Sequence, residues 1–161
     1  AATGLADLGV DLMTGDVREP STLAAPMSGV GTVVSAIHGQ LGSDGVTPAS
    51  VDRDGNRNLV DAAGREAAAV ILLSTIGASP DHPMELFRMK WAAEEQLRSS
   101  GLPWTIVRSA AFADTWIELL TQRAGSSGLP RVFGSGDTTR TFVWVQDVPR
   151  ALVHPTLDPS L

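Results

Sequence analysis

Four pairs of small or polar residues stand where aliphatic runs give out: Gly15-Asp16, Ser35-Ala36, Ser74-Thr75 and Arg108-Ser109. Hydroxyl, carboxylate and guanidinium groups are the usual means of orienting a small polar ligand. If the runs are parallel strands, the pairs share one rim, because ligands of open parallel sheets lie beyond the carboxyl ends of the strands. Four such pairs together favour a ligand site over ordinary loop chemistry. Other chemistries are poorly supplied. The chain has no cysteine, hence no thiolate nucleophile and no thiolate metal site. His38, His82 and His154 lack the spacing of metal ligands, and no metal is expected. Ser74 lacks the G-x-S-x-G elbow of a serine hydrolase.

The elements that must position these residues follow from periodicity. Short β-branched or aliphatic runs alternate with helical segments, the pattern of βαβ units and a parallel sheet buried on both faces. Strands are expected at Val10–Thr14, Thr32–Ile37, Ala69–Ser74, Trp104–Arg108 and Thr141–Val145. Helices are expected at Ser21–Met27, Val51–Ala67, Pro83–Ser100 and Asp114–Ala124, with a last one starting near Asp147. The helix from Pro83 is the best marked, with Asp81 as N-cap, Pro83 in the first turn, and Gly101 and Pro103 as its stop. Its residues Leu86, Met89, Ala93 and Leu97 form one apolar stripe for the sheet. Lys90 and Glu94 fall on a flank of that stripe, at a spacing that allows a weak pairing. Gly39–Gly45 and Gly125–Pro130 read as loops, and Gly134-Ser135-Gly136-Asp137 as a turn, since it precedes a strand rather than opening a helix.

A chain of 161 residues with 43% hydrophobic and 19% charged residues reads as one globular domain. No apolar run approaches the roughly 20 residues of a membrane span, and no secretion signal opens the chain. A cytoplasmic setting is expected. The net charge of -6 argues against nucleic acid or an anionic membrane as partner. Small molecules remain.

At this point the segments resemble a known family, the atypical short-chain dehydrogenase/reductases with NmrA-like or NAD(P)H-binding domains. Val10-Asp11-Leu12-Met13-Thr14-Gly15-Asp16-Val17 is similar to the family's third strand, whose Asp lies beside the adenine of the cofactor. Val33-Val34-Ser35-Ala36 resembles the fourth, where small side chains let the cofactor pass close to the backbone, and Val51–Ala63 the helix after it. Leu72-Leu73-Ser74-Thr75-Ile76-Gly77-Ala78 resembles the strand end that carries the active-site hydroxyl. The most specific stretch is Lys90-Trp91-Ala92-Ala93-Glu94-Glu95-Gln96-Leu97 with Ser100-Gly101-Leu102-Pro103-Trp104-Thr105-Ile106-Val107-Arg108. Phe142–Val148 is similar to the strand and helix start that close the sheet of extended members.

The resemblance implies an α/β, Rossmann-type parallel sheet with helices on both faces, and NADP or NAD as cofactor, with NADP slightly preferred. It implies cofactor contacts from Asp16, Val17, Ser35, Ala36, Lys90 and Arg108, and catalytic roles for Lys90, Ser74 and Thr75. Lys90 would hold the nicotinamide ribose hydroxyls. The family's acid/base Tyr would stand four residues earlier, where this chain has Leu86, and the chain contains no Tyr. A proton must then come from Ser74, Thr75 or water, or there is none to transfer. The helix from Asp114, with Trp116, Ile117 and Leu120, would border the substrate pocket, unless Trp116 is simply core.

The Gly-rich first turn of such domains is not found ahead of Val10–Thr14, and Gly29-Val30-Gly31-Thr32 leads into a strand and lacks a third Gly. The chain is therefore expected to be a single, N-terminally incomplete domain over residues 1–161, lacking the first strand-turn-helix and the second strand. Its dinucleotide affinity is expected to be lower by on the order of a thousandfold. A displaced Val10–Thr14 strand, an exposed edge at Thr32–Ile37, or a homodimer through that edge would follow. The expected function is an NAD(P)H-dependent oxidoreductase acting on a small carbonyl or quinone-like substrate. The alternatives are a non-catalytic NAD(P)-sensing module or a truncated chain with little activity.

Overall fold

The computed structural model describes residues 3–39, 45–123, 135, 137 and 139–157. In chain order its elements are α1 (Thr3–Ala6), a 3₁₀ turn at Pro20–Leu23, α2 (Ala24–Met27), β1 (Thr32–Ser35), a π turn at Ala49–Arg53, α3 (Asp54–Arg65) and β2 (Ala69–Thr75). There follow α4 (Glu85–Arg98), β3 (Trp104–Ser109), β4 (Ala111–Phe112), α5 (Ala113–Arg123), β5 (Phe142–Val143), a 3₁₀ turn at Val145–Asp147 and α6 (Val148–Leu157). The loop expected over Gly125–Pro130 lies outside the described residues, as do most of Gly39–Gly45 and parts of Gly134–Asp137.

β1, β2 and β3 form a parallel sheet in that order, with Val34 opposite Ile71 and Ile71 opposite Thr105. β2 is central, which is why its sequence is almost continuously aliphatic: both of its faces are covered. Val70 and Leu72 face Val60, Ala62 and Ala63 of α3 and Ala93 and Leu97 of α4. Ile71, on the alternate face, meets Val148 and Leu152 of α6. α3 and α4 are the crossovers from β1 to β2 and from β2 to β3. This is a Rossmann-type α/β arrangement with helices on both faces. β4 and β5 form a separate two-residue parallel pair. No helix among the described residues is long and apolar enough to cross a membrane.

Several boundaries differ from expectation, each for a local reason. Val10–Thr14 is not a strand: it has no ladder partner among the described residues, and Val10, Leu12 and Met13 are exposed. Among the described residues β1 pairs only with β2, leaving its outer edge without a strand partner, and Val34 is 47% exposed. β1 ends at Ser35 rather than Ile37 because the Ile37 carbonyl and the Gly39 N–H turn towards the helices instead of continuing the ladder. α3 starts at Asp54, after the π turn, and ends at Arg65; Ala67, at φ 53, has already left the helix in the left-handed region. α4 starts at Glu85 with Met84 as its N-cap, so neither Asp81 nor Pro83 opens it. The reason is His82, whose Nδ1 accepts the Met84 N–H at 3.1 Å while its ring stacks on Phe87. Arg88 donates to the carbonyls of His82 and Pro83 and fixes the same segment. Gly101, at φ 77, follows α4 as expected.

Candidate functional site

Lys90 reaches from α4 to the carboxyl ends of β1 and β2. Its Nζ donates to the Ile37 carbonyl at 2.8 Å and the Leu73 carbonyl at 3.2 Å, and pairs with Asp52 Oδ1 at 3.0 Å. Two of its N–H groups are thus hydrogen-bonded to carbonyls, and the Asp52 contact is an ion pair, Oδ1 having no hydrogen-bond partner among the described residues. The pair is withdrawn from water, with Lys90 7% and Asp52 0% exposed. Asp52 Oδ2 accepts the Gly39 N–H at 2.8 Å. Gly39 has no room for a side chain, since a Cβ there would lie 2.3 Å from the Thr47 carbonyl oxygen. The alternative for Lys90, a weak pairing with Glu94 on a solvated flank, is not what forms. The ammonium turns inward to a buried carboxylate, where attraction is less screened than on a solvated flank.

Ser35, the last residue of β1, joins the same network. Its Oγ donates to Asn56 Oδ1 at 2.6 Å, and Asn56 Nδ2 donates to the Asp52 carbonyl at 2.7 Å. A strand end, the π turn and the first turn of α3 are thereby tied to the acid that holds Lys90.

One helical turn further along α4, Glu94 gathers a second cluster. Its carboxylate accepts from Ser74 Oγ at 2.5 Å, from Arg108 Nε and Nη2 at 2.9 and 2.6 Å, and from Arg98 Nη2 at 3.0 Å. Ser109 Oγ donates to the Ser74 carbonyl at 3.3 Å. Burial pushes the Glu94 carboxyl up, but the bonds from Arg108 and Ser74, the Arg108 charge and the Arg98 bond outweigh it and hold it below the usual carboxylate range. Glu94 thus stays ionised with no exposure to solvent.

The residues expected at the rim divide accordingly. Lys90 and Ser35 meet around Asp52; Ser74 and Arg108 meet around Glu94. Thr75 is half-buried and lies opposite Ser109 in the ladder, and alternation turns it to the other face of β2 from Ser74. Ala36 is exposed. Val17 packs on Gly55 and its carbonyl accepts from Asn58 Nδ2 at 2.8 Å, which fastens the segment to α3. Asp16 stands apart and exposed, gripped by the Arg18 backbone N–H at 2.8 Å and guanidinium at 2.6 Å. The Arg18 side-chain bond, then its backbone bond, lower the Asp16 carboxyl to about 2.

Asp52, Asn56 and Glu94 are the organising residues that sequence reasoning passed over. Their signal was four-residue spacing, Asp52 with Asn56 and Lys90 with Glu94. Polar residues so spaced ordinarily mark a solvated helix face, and only packing reveals that these are buried. Trp116 is not core: it is exposed, edge-on to Phe142 at 6.4 Å between centroids. A depression of about 240 Å³ between α3 and α4, lined by Arg57, Val60, Asp61, Gln96, Ser99 and Ser100, includes none of the rim residues.

The rim therefore offers a fixed buried cation between two strand ends, a half-buried hydroxyl at Thr75 and an uncovered small residue at Ala36. Such a set suits a ligand bearing hydroxyl or carbonyl oxygens. Residues 1–143 match the family model described as NAD(P)H-binding. The chain is 35% identical over 106 residues to the NAD(P)H azoreductase of Xenophilus azovorans, a match covering 65% of this chain and 34% of that protein. Its structure resembles the Citrobacter sp. triphenylmethane reductase complexed with NADP(H), with a TM-score of 0.60 at 22% identity over 75% of this chain and 42% of that one. It also resembles the Escherichia coli NADPH-dependent quinone oxidoreductase complexed with NADPH, with a TM-score of 0.60 at 18% identity over 78% of this chain and 42% of that one. At such identities the two structures establish the fold alone. The chain spans about a third to a half of the length of the curated relatives it matches. With a parallel sheet covered by helices on both faces and a family match over residues 1–143, the chain belongs to the NAD(P)H-binding domain family, of the atypical, NmrA-like short-chain dehydrogenase/reductase kind.

Proposed function

We propose that the protein is an NAD(P)H-dependent oxidoreductase acting on a small carbonyl or, better, a quinone-like acceptor, with NADP(H) slightly preferred. The observation that carries this reading is the Lys90 ammonium fixed between the Ile37 and Leu73 carbonyls, beside the Ser74-Thr75 strand end. The dinucleotide, when bound, supplies hydride to the acceptor. Lys90, with Ser35 and Ala36 below it, is read as holding the nicotinamide riboside end. Arg108 keeps Ser74 in place through Glu94, and Asp16 and Val17 are read as lying towards the adenine. Ser74 already donates its proton to Glu94, so Thr75 is the hydroxyl assigned to the acceptor's oxygen.

Leu86 in place of a Tyr bears on the acceptor. Reduction of an ordinary ketone builds a strongly basic alkoxide, which needs a positioned acid. Reduction of a quinone or an extended dye leaves a delocalised, weakly basic product that a hydroxyl or water can protonate. The azoreductase, triphenylmethane reductase and quinone oxidoreductase relatives support this choice.

A second reading, a non-catalytic NAD(P)-sensing module, is favoured by one observation: the donors of Lys90 and Ser74 are already committed to protein acceptors. NADPH absorbance should be followed with a panel of quinones, azo and triphenylmethane dyes, ketones and enones, alongside calorimetric binding. Turnover on conjugated acceptors that is lost in Lys90→Ala even at NADPH concentrations that saturate the variant supports the enzyme and excludes the sensor. Tight binding with no turnover on any acceptor supports the sensor and excludes the enzyme.

A further inference from the structure

We infer that Asp52 is a positioning residue for Lys90, setting the ammonium at the rim so that a ribose hydroxyl takes the place of one of its carbonyl acceptors; this rests on the reading of Lys90 as a nicotinamide riboside contact. Asp52 has no exposure to solvent, and its two oxygens divide their work. Oδ1 faces Lys90 at 3.0 Å and Oδ2 takes the Gly39 N–H at 2.8 Å, so a single carboxylate ties the cation to the backbone leaving β1. A buried charge is costly unless paired and hydrogen-bonded. This one is both, and it sits in the π turn, Ala49–Arg53, that leads into α3, a distortion frequent at functional sites. Asn56 and Ser35 brace the same turn.

The three partners of the Lys90 ammonium are unequal. The Ile37 carbonyl at 2.8 Å and the Asp52 carboxylate at 3.0 Å are the closer, and the carboxylate is also the charged one. The Leu73 carbonyl, at 3.2 Å, is the most distant and belongs to β2, two residues before its end. A ligand hydroxyl arriving over that strand end exchanges with Leu73 while Asp52 and Ile37 keep the ammonium in place.

The test combines a measurement on the unaltered protein with two variants. Lys90 Nζ–H₃⁺ is observed by ¹⁵N NMR with and without NADPH, and NADPH affinity is measured by calorimetry for the protein, for Asp52→Asn, and for Leu97→Ala as a core control destabilised away from the rim. The expected result is an Nζ signal that shifts on adding NADPH, an affinity lowered about tenfold or more in folded Asp52→Asn, and an unchanged affinity in folded Leu97→Ala. The proposal is overturned if Asp52→Asn binds NADPH as the unaltered protein does, or if NADPH binds while the Lys90 signal stays still. Should the folded, unaltered protein bind no NADPH, the oxidoreductase reading fails first and takes this inference with it. The NMR arm needs no variant, so it decides between the outcomes even if Asp52→Asn does not fold.

Discussion

Replacing Glu94 by glutamine removes the charge at the centre of the second cluster while keeping its volume, and the structure allows the cost to be worked out. Glu94 is fully buried, whereas the side chains of Arg108 and Arg98 are 40% and 36% exposed. Breaking a fully buried pair costs about 3–5 kcal/mol, but both guanidiniums can turn to water, so their share is discounted towards that of surface pairs. What cannot be recovered is the charge assistance of these bonds and the acceptor at Oε2, which becomes an NH2 facing two guanidiniums while the amide oxygen still accepts from Ser74; charge-assisted bonds are worth about 1.5–3 kcal/mol. A total of about 2–4 kcal/mol follows, or about 5–15 °C in Tm for a chain of this size. The pH dependence has a definite sign. The Glu94 carboxyl is held below its ordinary 4.5 in the folded protein, so its contribution is complete above that value and is lost as pH falls through the depressed folded value. Urea unfolding at neutral pH and in acid measures both effects. A loss under about 0.5 kcal/mol at neutral pH, or a gap between the two proteins that does not narrow in acid, would refute the reasoning.

Four further outcomes are expected. By NMR, Asp16 titrates near about 2 and Arg18→Ala returns it towards 3.8; stability from this pair is present above 3.8 and lost as pH falls through about 2, and an unmoved midpoint in Arg18→Ala denies the grip. Ala67→Gly, at φ 53, relieves a left-handed alanine and raises stability by about 0.5–1 kcal/mol in denaturant titration; a loss means the residue does not hold that conformation. Gly39→Ala, whose Cβ meets the Thr47 carbonyl oxygen at 2.3 Å, costs about 2–4 kcal/mol by thermal unfolding, and a neutral result excludes the close approach between the β1 exit and Thr47. As for association, copies pairing along the outer edge of β1 sediment with a mass above that of one chain, and Val34→Lys returns it to the monomer mass; the monomer mass at every concentration eliminates the homodimer.

Periodicity found β2, β3, α4 and α6 to within a few residues because local repeat and global burial agree there: β2 is aliphatic throughout and covered on both faces. Val10–Thr14 failed because strand propensity is realised only against a neighbouring strand, and its ladder has no partner among the described residues. The start of α4 failed because the stacking of His82 on Phe87 and the reach of Arg88, contacts across a turn, outweighed an ordinary N-cap pattern.

Hydrophobic period was enough for the α/β class and the crossover helices, and residue type at the strand ends named a rim on which to look; Lys90 was named by the family resemblance alone. The partners of the charged residues came from the packing instead. Lys90 turned from Glu94 to Asp52, and Arg108 from the rim to Glu94, because the strength of a charge pair depends on how far both charges are withdrawn from water. That withdrawal is a property of packing between α3, α4 and the sheet, and no spacing along the chain encodes it.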